Sequence, residues 1–411
     1  MLEHWAQEAG GRARILVRDV KPVAFGGSLP EAQVDILIDE GGKIAAVGRG
    51  LKADAETRVI EGKNAYVSPG WVDLHAHVWH GGTDISIRPA QAGLQRGVTT
   101  IVDAGSAGEA NFHGFREYVI DRAPERILAF LNVGSIGLVA CNRVSELIDT
   151  RSIDMDRSLA VIEANRDVIV GIKCRASGVI VGSWGITPLK IAKKMARIAG
   201  LPMMVHVGEA PPTYDEVLAV LDPGDIVTHC FNGKAGSSIT EDQHLWDLVV
   251  KCAERGIRLD IGHGGASFSF KVAEVAIRRG LKPFSISTDL HLRCLDTTVW
   301  DLATTMSKLL SVGLPFDDVV TASTTAPMTA VGLPVANLLA VGQNAELTVF
   351  DLVDDDLTVT DSLGQIAHLT RMFEPRFAIR NGHVAEASRY RPRQRAPMPR
   401  CGFDGCGAQQ D

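Results

Sequence analysis

The sequence predicts an α/β protein: a (β/α)8 TIM barrel with a small β-sandwich domain formed by both termini. Three observations point there. Between Ser68 and Leu333, short apolar runs alternate with longer segments of helical period. Eight such units in a row suit a barrel of parallel strands. The flanking stretches read instead as short strands joined by turns. The chain has 411 residues, beyond the roughly 250–300 at which a single core stops growing, so a large and a small domain are expected.

At the amino end, Ile15-Leu16-Val17 and the run 34–38 are β-rich, Glu40-Gly41-Gly42-Lys43 supplies a turn, and 44–47 resumes the strand. Barrel strands are expected at 71–74, 99–103, 127–133, 168–173, 202–206, 225–229, 258–261 and 284–289. The clearest helices between them are 186–199, 242–255 and 269–279. Strand texture returns at 346–352 and 377–384. Residues 12–67 and 334–390 are therefore expected to build one composite β-domain around a barrel of residues 68–333. Two separate caps are the alternative. A doubly wound open sheet is the rival to the barrel, and no G-x-G-x-x-G turn follows an early strand to support it. Residues 391–411, rich in Pro, Arg, Gly and Gln, read as a C-terminal tail, with Cys401 and Cys406 as unstructured thiols.

Composition narrows the function. Hydrophobic residues make up 45% and charged residues 22%, which excludes a disordered or coiled-coil chain. The net charge of −7 offers no basic surplus for phosphates, so no nucleic-acid partner is expected. The uncharged run 319–345 is interrupted by Pro327, Pro334 and many polar residues, so no membrane partner is expected either. The first eight residues lack a basic then apolar signal pattern. Seven scattered cysteines, an odd number, argue against a disulfide framework and for a reducing cytoplasm.

The informative feature is which residues end the expected strands. The first strand ends Asp73-Leu74-His75-Ala76-His77, and residues i and i+2 share a face, so His75 and His77 project together. Neutral imidazole is a common metal ligand, yet an H-x-H arises often by chance. The fourth strand closes on Lys173. Burial lowers a lysine's pKa and favours the free amine, which takes up carbon dioxide to form an anionic carbamate; a lysine snorkelling to solvent is the plain alternative. The fifth strand ends in His206, the sixth in His229 and the eighth in Asp289. The barrel's active site lies at this same face, and six independent structural reasons for such placements are hard to sustain together. A binuclear metal site is expected.

The order His-x-His, Lys, His, His, Asp at these strand ends resembles the amidohydrolase superfamily, in its binuclear-metal subtype. Ser68 to His77 resembles that family's entry into the barrel, and Gly342 to Phe350 its return to the β-domain. Gly171-Ile172-Lys173-Cys174-Arg175 and Ser287-Thr288-Asp289-Leu290-His291 resemble a dihydroorotase-like, deacetylase-like group within it. The resemblance implies two divalent metal ions, zinc first and manganese or iron as alternatives. It places His75, His77 and Asp289 on the buried metal and His206 and His229 on the exposed one, with N6-carboxylated Lys173 bridging them. A metal lowers the pKa of bound water from about 15.7 to about 7. The resemblance then implies attack by a metal-bridging hydroxide, with Asp289 as the catalytic proton carrier. Cys174, pointing away by alternation, reads as a core thiol; a strand ending early would make it a bridging thiolate.

Substrate-binding candidates are Arg175, which shares Lys173's parity and suits a bidentate carboxylate clamp, His263, His291 and Asn232. Arg293, Trp79, His80 and Gly233 lie in neighbouring loops. Each has a plain structural alternative: a rim salt bridge for Arg175, a loop cap for His263. His4, His113, His244, His368 and His383 fall outside the pattern. The expected function is metal-dependent hydrolysis of an amide or ester bond in a small carboxylate-bearing substrate, with deacetylation of N-acetyl or O-acetyl acids ahead. A dihydroorotase-like cyclic-amide hydrolase is the alternative within enzymes, and a non-catalytic assembly protein the distant one. A homo-oligomer is compatible with all three.

Overall fold

A computed structural model describes residues 13–26, 33–141, 143–147 and 149–392. The expected tail, with Cys401 and Cys406, lies outside the described residues apart from Arg391 and Pro392.

Seven parallel strands follow one another in sequence order across one sheet: Trp71–Ala76, Val98–Ala104, Arg126–Asn132, Ile169–Ala176, Met203–Val207, Ile226–Thr228 and Arg258–Asp260. The first two are buried at every position, as strands covered on both faces must be. Helices cover the outside. Thr187–Ala199 buries Leu189, Ala192, Met195, Ala196 and Ala199, one face at helical spacing, and ends on Gly200 in the left-handed conformation. Gln243–Glu254 and Phe270–Arg278 are capped by the Asp242 carboxylate and the Ser269 hydroxyl, which accept from Leu245 N and Val272 N.

The eighth stretch departs from expectation. Residues 284–289 form no regular strand. Instead Ser285 bridges Asp260 at one edge of the sheet and Leu290 bridges Ala76 at the other. The Asp289 amide donates to the His75 carbonyl at 2.5 Å, and the His77 amide to the Leu290 carbonyl at 3.0 Å. A positive φ of 49° at Asp289 breaks the ladder there.

On the shared inner face, Val72, Leu74, Val102, Ala104, Leu128, Phe130, Met204 and Ile226 form one cluster, in alternate positions of neighbouring strands. The pairing of the first strand slips between Asp73 and Ala76. Past that irregularity His75 and His77, of opposite parity to Val72 and Leu74, turn toward the other strand ends.

The terminal segments meet in a single mixed sheet of eight strands. Its path runs His383–Glu386, Ile366–Arg380, Leu347–Thr360, Tyr66–Pro69, Ile15–Pro22, Val34–Ile38, Ile44–Gly48, with Arg58–Glu61 beside Ile15–Pro22. This mixed sheet stands where a sandwich was expected. Tyr66, Trp71, Phe316, Phe350 and Phe373 form a ring cluster at its junction with the parallel sheet, with Trp71 and Phe350 centroids 5.3 Å apart. Among the described residues, no helix is long and apolar enough to cross a membrane.

Candidate metal centre

At the carboxyl ends of the parallel strands, the side chains of His75, His77 and Asp289 come together, with their ligand atoms within 4.8 Å of one another. The Nε2 atoms of His75 and His77 lie 3.2 and 3.1 Å from the same Asp289 oxygen, Oδ1. Lys173 Nζ is 3.3 Å from His75 Nε2 and 3.3 Å from Met204 Sδ. The His206 and His229 rings meet edge to face with centroids 4.4 Å apart, and His229 lies 5.2 Å from His75. All six residues named by the strand-end pattern are therefore drawn into one cluster. Lys173 is not the last residue of its strand, which continues to Ala176. His229 sits just past Thr228 with a φ of 70°.

The hydrogen-bond network fixes the tautomers. Thr228 Oγ1 spends its proton on Asp260 Oδ2 at 2.7 Å, so it accepts from His75 Nδ1 at 2.9 Å. Ser106 Oγ likewise donates to Asp103 Oδ2 at 2.8 Å and accepts from His77 Nδ1 at 3.0 Å. The Gly262 carbonyl can only accept, so His229 Nδ1 donates to it at 2.6 Å. In each ring Nε2 is left as the acceptor nitrogen, and that of His75 lies 3.3 Å from Lys173 Nζ. Two of these nitrogens face the Asp289 carboxylate, and the third, on buried His229, has no hydrogen-bond partner.

Such a set of electron donors repels itself unless a cation sits among them. The donor chemistry therefore fits a bound divalent metal, with each imidazole oriented from behind by a hydroxyl or carbonyl. Titration agrees. Burial holds His75 and His206 well below the ordinary imidazole value and His229 down to about 4. Burial also brings Lys173 down to about 8.

Close approach explains two glycines. A Cβ on Gly262 would lie 2.1 Å from Thr228 Oγ1, and one on Gly264 would lie 2.4 Å from Asp289 Oδ2; both have positive φ.

A cavity of about 490 Å³ opens over this cluster. Arg175 and His291 line it, as does Arg293. Arg175, however, is bound to Glu146 through two hydrogen bonds, Nε to Oε1 at 2.7 Å and Nη2 to Oε2 at 2.5 Å, so its plain alternative, an internal ion pair, is what forms. Asn232 and His263 do not line the cavity. Asn232 is buried and ties the His229 and Ser237 carbonyls and the Ser237 hydroxyl together. His263 is buried against Phe268 with both ring nitrogens engaged. Cys174 is buried in the apolar core, away from the cavity, and its thiol is pushed up by burial. Glu209 and Lys234, paired at 2.6 Å, also line the cavity. They sit in the loops after His206 and His229, three and five residues on, and that proximity was the available signal.

A protein from Agrobacterium fabrum named a deacetylase is 63% identical over 384 residues, 93% of this chain and 94% of that protein. A deacetylase from Enterococcus faecalis is 36% identical over 354 residues, 85% of this chain and 95% of that protein. A crystal structure described as a dihydroorotase superposes with a TM-score of 0.90 at 62% identity, covering 93% of this chain and 100% of that one. One described as an adenine deaminase superposes at 0.81 with 34% identity, covering 90% and 99%. No family model matches the chain. Relatives matched along nearly their whole length, and a cluster of histidine, lysine and aspartate at the strand ends, lead to one assignment: the chain is a hydrolase belonging to the amidohydrolase superfamily.

Proposed function

We propose that the protein is a metal-dependent deacetylase that hydrolyses the ester or amide bond of a small N-acetyl or O-acetyl carboxylic acid. The three inward-facing imidazole lone pairs around Asp289, one of them orphaned and buried, carry this reading. The deacetylase names of relatives at 63% and 36% identity support the reaction type.

His75, His77 and Asp289 would hold one ion, and His206 and His229 a second, with Lys173 carboxylated between them. Zinc suits this mix of nitrogen and oxygen donors. When bound, such ions activate water and polarise the scissile carbonyl. The chain's own residues do the rest. Thr228 and Ser106 hold the rings at fixed tautomers. Asp289, facing the cavity, carries the proton to the leaving group. Desolvated Lys173 presents the free amine that captures carbon dioxide, releasing one proton as the carbamate forms. His291 lines the substrate side.

Besides Lys173, three lysine or arginine side chains line the cavity: Arg175 is neutralised by Glu146 and Lys234 by Glu209, whereas Arg293 has no carboxylate partner among the described residues. The carboxylate of the substrate belongs on Arg293. The parallel sheet is read as a complete (β/α)8 barrel with residues 285–290 as its eighth stave, and the two terminal segments as one composite domain. Cys174, Cys230, Cys252 and Cys294 are buried free thiols, which supports a reducing compartment.

Metal analysis of purified protein, followed by acetate release from panels of N-acetyl and O-acetyl acids in both enantiomers, tests this. Acetate from one enantiomer supports the reading. A second reading is supported by the 62%-identical structure described as a dihydroorotase. Ring opening of dihydroorotate with no acetate release from any panel member would replace the first reading with it.

A further inference from the structure

The strands Leu347–Thr360 and Ile366–Arg380 form a long hairpin whose base belongs to the mixed sheet. Its tip reaches the loop after the seventh strand. Ser362 N donates to the Phe268 carbonyl at 3.0 Å, and Ser362 Oγ donates to the Gly264 carbonyl at 3.1 Å. Asp361 accepts from Phe270 N at 3.0 Å.

Beside this tip lies Lys308, fully buried on the helix Leu302–Ser311. When protonated, its ammonium matches three protons to three acceptors: the Thr360 carbonyl at 2.8 Å, the Thr298 carbonyl at 2.5 Å and His263 Nε2 at 2.9 Å. Because His263 Nε2 accepts, its Nδ1 holds the proton and donates to the Gly264 carbonyl at 2.9 Å. Each acceptor belongs to a different segment. Thr360 ends the hairpin strand. Thr298 adjoins Thr297, which lines the cavity. His263 leads into Gly264, whose amide is tied to the Thr288 carbonyl and whose Cα leaves no room for a side chain beside Asp289. Gly265, Ala266 and Ser267 then form part of the cavity wall.

We infer that Lys308 is a positioning residue: with the hairpin tip at Ser362, and acting through His263, it holds the 263–267 wall of the cavity at its set distance from Asp289. The inference rests on the hydrolase reading for its kinetic consequence, but its structural consequence is measurable without turnover. Buried lysines are seldom retained for stability alone, because an apolar side chain of similar length avoids the desolvation cost. A loosened wall misplaces substrate against fixed reacting groups, and displacements on the order of 1 Å are enough to matter.

The test compares metal-loaded wild type, Lys308→Met and Ser362→Ala. Hydrogen exchange of the 262–269 segment, metal content, kcat and KM are read for each. The expected result is an unchanged metal content and faster exchange in 262–269. KM should rise about tenfold in Lys308→Met and about threefold in Ser362→Ala, with kcat falling less. Wild-type exchange and KM in a folded variant, even one with a lower melting temperature, overturn the inference. If Lys308→Met does not fold, Ser362→Ala decides alone. Absence of acetate release by the wild type would sink the deacetylase reading, while the exchange measurement still decides this one.

Discussion

Arg175 and Glu146 meet in a two-point ion pair at the wall of the cavity over the candidate metal centre, with Nη2 and Oε2 2.5 Å apart and both side chains buried. Cutting one partner strands the other's charge away from water. Arg175→Met is therefore expected to destabilise the protein by about 3–5 kcal/mol, and the double variant Arg175→Met/Glu146→Met to recover most of that loss. Urea unfolding measures both. A double variant no more stable than the single one would mean that the pair does more than neutralise itself.

With Arg175 so paired, the proposed site for the substrate carboxylate is Arg293, whose guanidinium donates one hydrogen bond among the described residues, to the Cys141 carbonyl at 3.5 Å. Arg293→Met should raise KM for acetylated acids by about 10- to 100-fold, the range of a lost charge-assisted contact. Neutral acetyl esters of similar size should react as before. An equal loss on charged and neutral substrates would remove Arg293 from carboxylate binding.

The hydroxyls behind the histidines give a third expectation. Thr228 links His75 to Asp260, and Ser106 links His77 to Asp103. Thr228→Val and Ser106→Ala leave every proposed ligand in place but free one ring to rotate. Metal affinity should fall about 10- to 100-fold in each, read by competition with a chelator. Unchanged affinity would show that packing alone orients the rings.

These relationships also mark what was legible in the sequence. His75, His77, Lys173, His206, His229 and Asp289 could be named because parallel strands deliver their terminal residues to one end of the sheet, a rule of topology that short patterns reveal. Arg175 lines the cavity as its parity with Lys173 predicts, but the partner of its salt bridge is not legible, because Glu146 lies in an irregular loop with no periodicity to locate it. His263 shared the glycine-rich signature of a ligand loop, but its partner Lys308 sits on a helix 45 residues away. The sequence predicts an eighth strand where no regular strand forms, since the backbone turn at Asp289 follows from its contacts with His75 and Gly264 rather than from local preference.

Lys308 also gives the protein a pH signature distinct from that of the proposed metal ligands. Burial brings its pKa from the ordinary 10.5 to about 7, against the opposing pull of Asp361, Cys294 and Asp301. The other groups facing it are the neutral His263 ring, the Thr298 and Thr360 carbonyls and the Phe270 ring. In this window the unfolded chain binds the Lys308 proton more tightly than the native one, so the proton favours unfolding. The penalty is absent above about pH 10.5, grows as pH falls, and is complete below about 7. Relative to Lys308→Met, which carries no such proton, wild-type stability should therefore rise between pH 7 and 10, with a slope of at most about 1.4 kcal/mol per pH unit. Denaturant unfolding of both proteins at pH 7, 8, 9 and 10, with metal held saturating, measures that difference directly. A difference that stays flat across the range would show that the three carbonyl and imidazole acceptors keep Lys308 charged throughout.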